Sequence, residues 1–149
     1  MIHVHDSVIV QATSRLLIPL VQLFAVYIVF FGQYSPGGGF AAGVILGAAF
    51  ILTLLVFTIT RPEGAAMRTV LHFDGLGLLI FAGVGGLCLI GGGAFLNYSE
   101  LGVPGVDEAR RRSLGIVLTQ IGVAVDCAVA ALSLVFSLGA IPANGGAHD

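Results

Sequence analysis

The chain contains very little charge. Its 149 residues include no lysine, and charged residues account for only 9% of them, whereas a soluble domain usually carries about a quarter. The mean hydropathy is +1.04. This composition excludes water as the main solvent of the protein. With a formal net charge of -2 and no lysine, the chain also has no basic patch of the kind that indicates nucleic-acid binding.

Cysteine is scarce as well. The sequence has only Cys88 and Cys127, and each lies in an apolar run without the spacing of metal ligands. We therefore interpret both as small apolar residues. The sequence also offers no nucleophile with an assigned base and no nucleotide-binding loop. We expect no metal site, no cofactor and no enzyme active site.

The sequence does have long uncharged runs with the length of membrane spans. Residues 16–60 contain no Asp, Glu, Arg, Lys or His, and about 20 apolar residues suffice for one crossing. Lipid cannot satisfy free backbone amides, and no run shows the alternation of a membrane barrel. We predict an all-α membrane protein, a single domain over residues 1–149 with four transmembrane helices at approximately 13–31, 38–60, 75–96 and 113–139.

Small residues recur at helical spacing within these runs. In a bilayer, close helix packing depends on Gly, Ala, Ser and Thr, because no hydrophobic force drives the helices together. The pattern predicts glycine-rich packing faces, although the partner could be a sister helix or another protein. The second span carries Gly39, Gly43 and Gly47 at four-residue intervals. One face of the fourth span carries Gly115, Thr119, Gly122, Asp126, Ala130, Ser133 and Ser137.

An uncharged, glycine-rich segment, FGQYSPGGGFAAGV, joins the first two spans. Pro36 suits the first turn of a helix, where its missing N–H would be unpaired in any case. Gly37, Gly38 and Gly39 let the chain turn and press on a neighbour. The segment does not match the pattern of a phosphate-binding loop, because no lysine follows and no strand precedes. We interpret the segment as the tip of a helix hairpin packed against protein, with a plain hairpin loop as the alternative.

These residues resemble a known family. GQYSPGGGFAAGV is similar to the segment G-H-N-x-P-G-G-G-F-x-x-G of the MnhB (MrpB) family, the B subunit of Mrp-type multisubunit Na+/H+ antiporters. The resemblance extends over nearly the whole chain: QATSRLL resembles the family's Q-T-A-T-K/R-L-L, LGVPG its third-loop pattern, and LTQIGVAV the start of its fourth span. It implies that the large A subunit and the other small membrane subunits are partners of this chain.

Two positions depart from the family pattern. Gln33 stands where the family commonly has His, and Gln120 stands where it commonly has Asp, so both changes remove a titratable group. Asp126 lies six residues after Gln120 and could partly replace its acid, but six positions rotate a side chain by about 120° around the helix. The sequence therefore leaves open whether Gln120 has the proton role of the acid that the family commonly has at this position.

Asp126 is the most informative single residue. It lies in the middle of the fourth span, where an ionised carboxylate is costly unless it is paired, hydrated or neutralised. It is either a way-station for protons or sodium ions or a protonated carboxyl bonded to a neighbouring helix. With Thr119 and Gln120 it makes up our candidate ion pathway. Our candidate subunit contacts are Gln11, Arg15 and Gln22 on one face of the first helix, and Gln33.

The sequence leaves three functional alternatives. The resemblance implies a Na+/H+ antiporter complex, and we favour an accessory role in it, since an autonomous antiporter should have several buried ionisable groups. The same module could serve a redox-driven complex of the membrane-bound hydrogenase type. A self-sufficient dimeric exporter should have an aromatic chamber, and this chain has no tryptophan. We expect a multi-pass cell-membrane protein in contact with lipids. Both termini should lie on one side, which we assign to the cytoplasm. The positive-inside count, three arginines on each side, does not decide the orientation.

Overall fold

The structure, a computed structural model, describes residues 8–34, 36–57, 75–101 and 105–139. Within these ranges all regular secondary structure is helical. The described residues form four α-helices and one short 3-10 helix, Tyr98–Glu100. The α-helices are α1 (Val8–Phe31), α2 (Gly38–Val56), α3 (Leu76–Ile90) and α4 (Glu108–Gly139). The predicted all-α class is confirmed for the described part of the chain.

Helices α1 and α2 form a hairpin. The buried residues of α1 are Ser14, Ile18, Ala25 and Val29, whose spacing gives one helix face. The turn holds a hydrogen bond from the Tyr34 N–H to the Phe31 carbonyl, 2.9 Å long. Gly37 and Gly38 then adopt φ angles of 149° and 75°, which side chains disfavour. Because α2 starts only at Gly38, Pro36 lies two residues before the helix, and our prediction of a first-turn proline is wrong.

Helices α2 and α4 run parallel and almost touch through their backbones. A Cβ atom added to Gly43 would lie 2.6 Å from the Ala124 carbonyl oxygen, and one added to Gly47 would lie 2.9 Å from the Ala131 Cβ. Gly39 meets the backbone of Gln120 in the same way. The glycine row of α2 therefore packs against a helix of the same chain. Val29, Ala42 and Ala124 form the buried cluster where α1, α2 and α4 meet.

Helix α3 ends earlier than hydropathy suggests. We predicted a span to residue 96, but the helix stops at Ile90. Gly92 has a φ of 87°, the Gly93 N–H bonds the Cys88 carbonyl at 3.2 Å, and the Gly92 N–H bonds the Leu89 carbonyl at 3.0 Å. These two bonds are a Schellman motif, which caps a helix with a left-handed glycine. Apolar residues continue past the motif, so a hydropathy profile does not register the end of the helix.

Helix α3 and the 3-10 helix cover the other side of α4. Gly77 contacts Gly122 and Asp126, and the Tyr98 ring lies on Gly115. Later residues of this segment thus contact earlier residues of α4, so α3 runs antiparallel to α4. The chain then returns over α3, because the Phe95 ring lies on Gly85 and makes an edge contact with Phe81, with 6.4 Å between ring centroids. Helix α4 is thus the central element, between α2 and α3.

Among the described residues, three helices are long and apolar enough to cross a membrane: α1, α2 and α4. The apolar α3, with 15 residues, is shorter. Large apolar side chains cover the outside, among them Leu23 and Phe24 on α1 and Leu134 on α4, which are 67%, 56% and 63% exposed. This outer surface is that of a membrane protein. Helix α4 begins five residues before the predicted span, since a helix can continue through charged residues. Residues 58–60 of the second predicted span lie outside the described ranges.

Candidate functional site

Asp126 lies at half-depth of α4. It follows Arg112 by fourteen positions, about 21 Å along the helix, and precedes Gly139 by thirteen, about 20 Å. Its side chain is half-buried and lines an open cleft of about 180 Å³ between α3 and α4. The cleft is bounded by Gly77, Leu78, Phe81, Val123 and Asp126. The acid singled out by sequence therefore borders an accessible space.

Two glycines create the close contact at this cleft. A Cβ atom on Gly77 would lie 2.6 Å from both the Cβ and the backbone nitrogen of Asp126, and one on Gly122 would lie 2.8 Å from the Gly77 carbonyl oxygen. Since α3 begins at Leu76, its first turn is beside Asp126 at half-depth. The N-terminal end of a helix carries partial positive charge, so the position favours a carboxylate. Within the described ranges, no side chain donates a hydrogen bond to Asp126 or forms an ion pair with it.

Thr119 is buried, 6% exposed, and its hydroxyl has several partners. The oxygen lies 3.0 Å from the Gly115 carbonyl oxygen and 2.8 Å from that of Ile116, either of which it can donate to. The Tyr98 hydroxyl lies 3.2 Å from the same oxygen. The bond joins the 3-10 helix to α4 about 10 Å from Asp126 along the helix. The sequence analysis missed Tyr98, whose only signal was a polar aromatic residue following a glycine cluster.

Gln120 lies on a different side of α4. Its side-chain oxygen is buried without a hydrogen-bond partner in the described part of the chain. A Cβ atom on Gly32 would lie 2.8 Å from this oxygen and 2.6 Å from the Gly38 Cα, so the amide sits under the hairpin turn. Thr119 and Asp126 face α3 and the 3-10 helix, whereas Gln120 faces α1 and α2. The three candidates for the ion pathway therefore do not form one cluster.

The candidate contact residues Gln33 and Arg15 contact other parts of this chain. The Ser113 hydroxyl donates to the Gln33 side-chain oxygen at 3.2 Å, which ties the hairpin turn to α4. The Arg15 guanidinium carbon lies 5.8 Å from the centre of the Phe57 ring, a cation–π contact between α1 and the end of α2. Gln11 and Gln22 are half-buried on α1. Among the described residues, no three His, Cys, Asp or Glu side chains could together hold a metal ion.

Comparison with known proteins decides the family. The model of the family described as "Domain related to MnhB subunit of Na+/H+ antiporter" matches residues 9–139. The chain belongs to the MnhB family. It is similar to the B subunit of the Na(+)/H(+) antiporter of Alkalihalophilus pseudofirmus, with 32% identity over 128 residues, 80% of this chain and 88% of that protein. The corresponding antiporter protein of Bacillus subtilis is 26% identical over 125 residues, which cover 79% of this chain and 87% of that protein.

The MnhB match covers nearly all of the described structure. Residues 9–139 include the hairpin turn, the glycine contacts between α2 and α4, and the cleft at Asp126. The family is one of transporter components. The features described above therefore lie within the part of the chain that defines it as an MnhB protein.

Proposed function

We propose that this MnhB-family chain is an accessory membrane subunit of a multisubunit cation (Na+)/proton antiporter complex. The family match over residues 9–139 carries the proposal. The number of buried acids agrees with it, because an autonomous antiporter needs a route of several ionisable groups. Among the described residues of the spans, Asp126 alone supplies a carboxylate at half-depth. The exchange of protons for sodium then depends mainly on larger partner subunits.

Asp126 and Thr119 line part of the ion pathway on the α3 side of α4. A carboxylate that borders an open cleft can take up a proton or coordinate a sodium ion, and the adjacent helix N-terminus moderates the cost of its charge. The Thr119 hydroxyl, bonded to Tyr98, is a second polar group on this side of α4, about 10 Å from Asp126 along the helix. Gln120 cannot titrate, and its buried amide under the hairpin turn has a positioning role.

The chain supports assembly with the large A subunit and the other small membrane subunits, in contact with lipid. It lies in the cell membrane with several passes. The opposite directions of α1 and α4 support a common side for the two termini, which we assign to the cytoplasm. Arg15 and Gln22 on α1 belong to the contact surface in this assembly, and Gln11 adjoins them.

Sodium/proton exchange by the complete complex in membrane vesicles tests the ion-pathway role. Asp126→Asn removes the titratable group with little change in size, so exchange per assembled complex should fall at least about tenfold. Asp126→Glu should retain a pH-dependent rate. An unchanged rate and unchanged pH dependence in Asp126→Asn would assign the residue to structure alone. Complexes expressed without this chain should assemble poorly, and full assembly without it would remove the accessory role.

A further inference from the structure

The Asp126 cleft opens towards the outside of the chain. Its rim on α3 includes Leu78, whose side chain is 61% exposed, and its floor is the close contact of Gly77 with α4. Asp126 lies about 27 Å from the start of α4 at Glu108 and about 20 Å from its end at Gly139, so the opening is at the level of the hydrocarbon core. Any molecule that covers the cleft in the membrane therefore contacts the Asp126 carboxylate.

Lipid is a poor cover for this opening. An acidic side chain at half-depth faces protein or water rather than acyl chains, and it usually pairs with another polar group. The basic side chains of the described residues are distant. Arg112, the nearest in sequence, is about 21 Å away along α4, and Arg15 lies on the Phe57 ring at the end of α2. A counter-charge for the carboxylate would therefore come from outside the described residues.

The outer face of α3 beside the cleft carries small residues on which a second helix can pack. Leu78, Ala82 and Gly86 recur every four residues and form a row that leads away from the cleft. A Cβ atom on Gly86, or on the neighbouring Gly83, would meet no atom within 4 Å. By contrast, Gly77 and Gly85 of the same helix are covered by the chain itself. Uncovered small residues in a membrane let a second helix approach closely.

We propose that the cleft between α3 and α4 receives a transmembrane helix of another subunit of the complex, which places a Lys or Arg side chain against Asp126. The proposal rests on the proposed function, since it requires a multisubunit assembly. It specifies the chemistry of the neighbour: a helix with small residues at its contact face and one basic residue at half-depth. The cleft volume of about 180 Å³ accommodates the end of such a side chain, since it equals several waters of about 30 Å³ each.

Photo-crosslinking in the intact complex tests which molecule covers the cleft. A photoactivatable phenylalanine analogue replaces Leu78, and a control carries it in place of Leu23, which is 67% exposed on α1. We expect the analogue at position 78 to form an adduct with a different subunit, mapped by mass spectrometry to a transmembrane segment that contains Lys or Arg. Adducts only with lipid, with this chain itself or with a second copy of it would overturn the proposal. Adducts with the same subunit at equal yield from both positions would also overturn it.

The charge requirement has a separate test. Asp126→Asn leaves the partner's basic group unpaired, so the yield of purified complex should fall at least about tenfold. Neutralising the mapped basic residue in the Asp126→Asn background should restore most of that yield. An unchanged yield in the single variant, or no recovery in the double variant, would refute the ion pair.

The two proposals fail in different ways. If the chain co-purifies with the other antiporter subunits and the complex exchanges sodium for protons, but position 78 labels only lipid, the docking proposal falls and the proposed function stands. If the chain does not co-purify with any antiporter subunit, both fall.

Discussion

Replacing Gly43 with alanine should force α2 and α4 apart. The added Cβ would lie 2.6 Å from the Ala124 carbonyl oxygen and 2.7 Å from the Cys127 Cβ, whereas ordinary contact begins at 3.4 Å. The difference, 3.4 minus 2.6, requires a separation of about 0.8 Å. The nearest atom belongs to the backbone and cannot rotate away, so the expected cost is that of overpacking, about 1–3 kcal/mol.

Gly83→Ala is the matched control. Both substitutions add one methyl group within a helix and gain up to about 1 kcal/mol of helix propensity, but a Cβ on Gly83 meets no atom within 4 Å. The difference between the two variants therefore isolates the packing term. It is measured as the free energy of unfolding by sodium dodecyl sulfate in detergent micelles, followed by helical circular dichroism. Equal unfolding free energies for the two variants would refute the backbone contact between α2 and α4.

Three further predictions use the same unfolding assay. Tyr98→Phe removes one hydrogen bond to Thr119 and should lower the free energy of unfolding by about 0.5–1.5 kcal/mol. Tyr34→Phe, at a residue 81% exposed, should leave it unchanged. Equal effects of the two substitutions would contradict the Tyr98 bond. Gly92→Ala should lower the free energy of unfolding by about 1–2 kcal/mol, because the φ angle of Gly92 is 87°. Gly86→Ala should not lower it. A Gly92→Ala variant of unchanged stability would contradict the helix cap at Gly92. Glu108→Gln breaks the exposed ion pair to Arg112, 2.5 Å long, and should change stability by at most about 0.5 kcal/mol; a larger loss would mean that the pair is not exposed to water.

Hydropathy and glycine spacing predicted much of the fold, for a physical reason. Uncharged runs of membrane length have few stable alternatives to helices, and Gly39, Gly43 and Gly47 at four-residue intervals lie on one helix face by geometry. The identity of the facing helix was not predictable. It depends on contacts between residues about eighty positions apart, such as Gly39 with Gln120, and a local pattern carries no record of such pairs.

The remaining differences have physical causes as well. Small residues in a membrane usually mark a packing face, so Gly91, Gly92 and Gly93 look like one by composition; only the backbone angles show that they end α3. Gln33 is polar at a helix tip, which suits a subunit contact, but a pattern of neighbours along the chain does not reveal its hydrogen bond from Ser113. Asp126 was predictable as a special residue from its charge alone, but the cleft beside it results from the start of α3 at that depth.

The length of α4 has a consequence for how the chain sits in a bilayer. Its 32 residues extend about 48 Å, but the hydrocarbon layer is only about 30 Å thick. An upright helix would leave about 18 Å, or roughly twelve residues, beyond the acyl chains. The first turns, with Glu108 and Arg112 paired in the open, form a water-facing stub above the membrane plane. Antibodies or soluble proteases could reach this stub in sealed cells or vesicles from one side only, which would report directly which way the protein points.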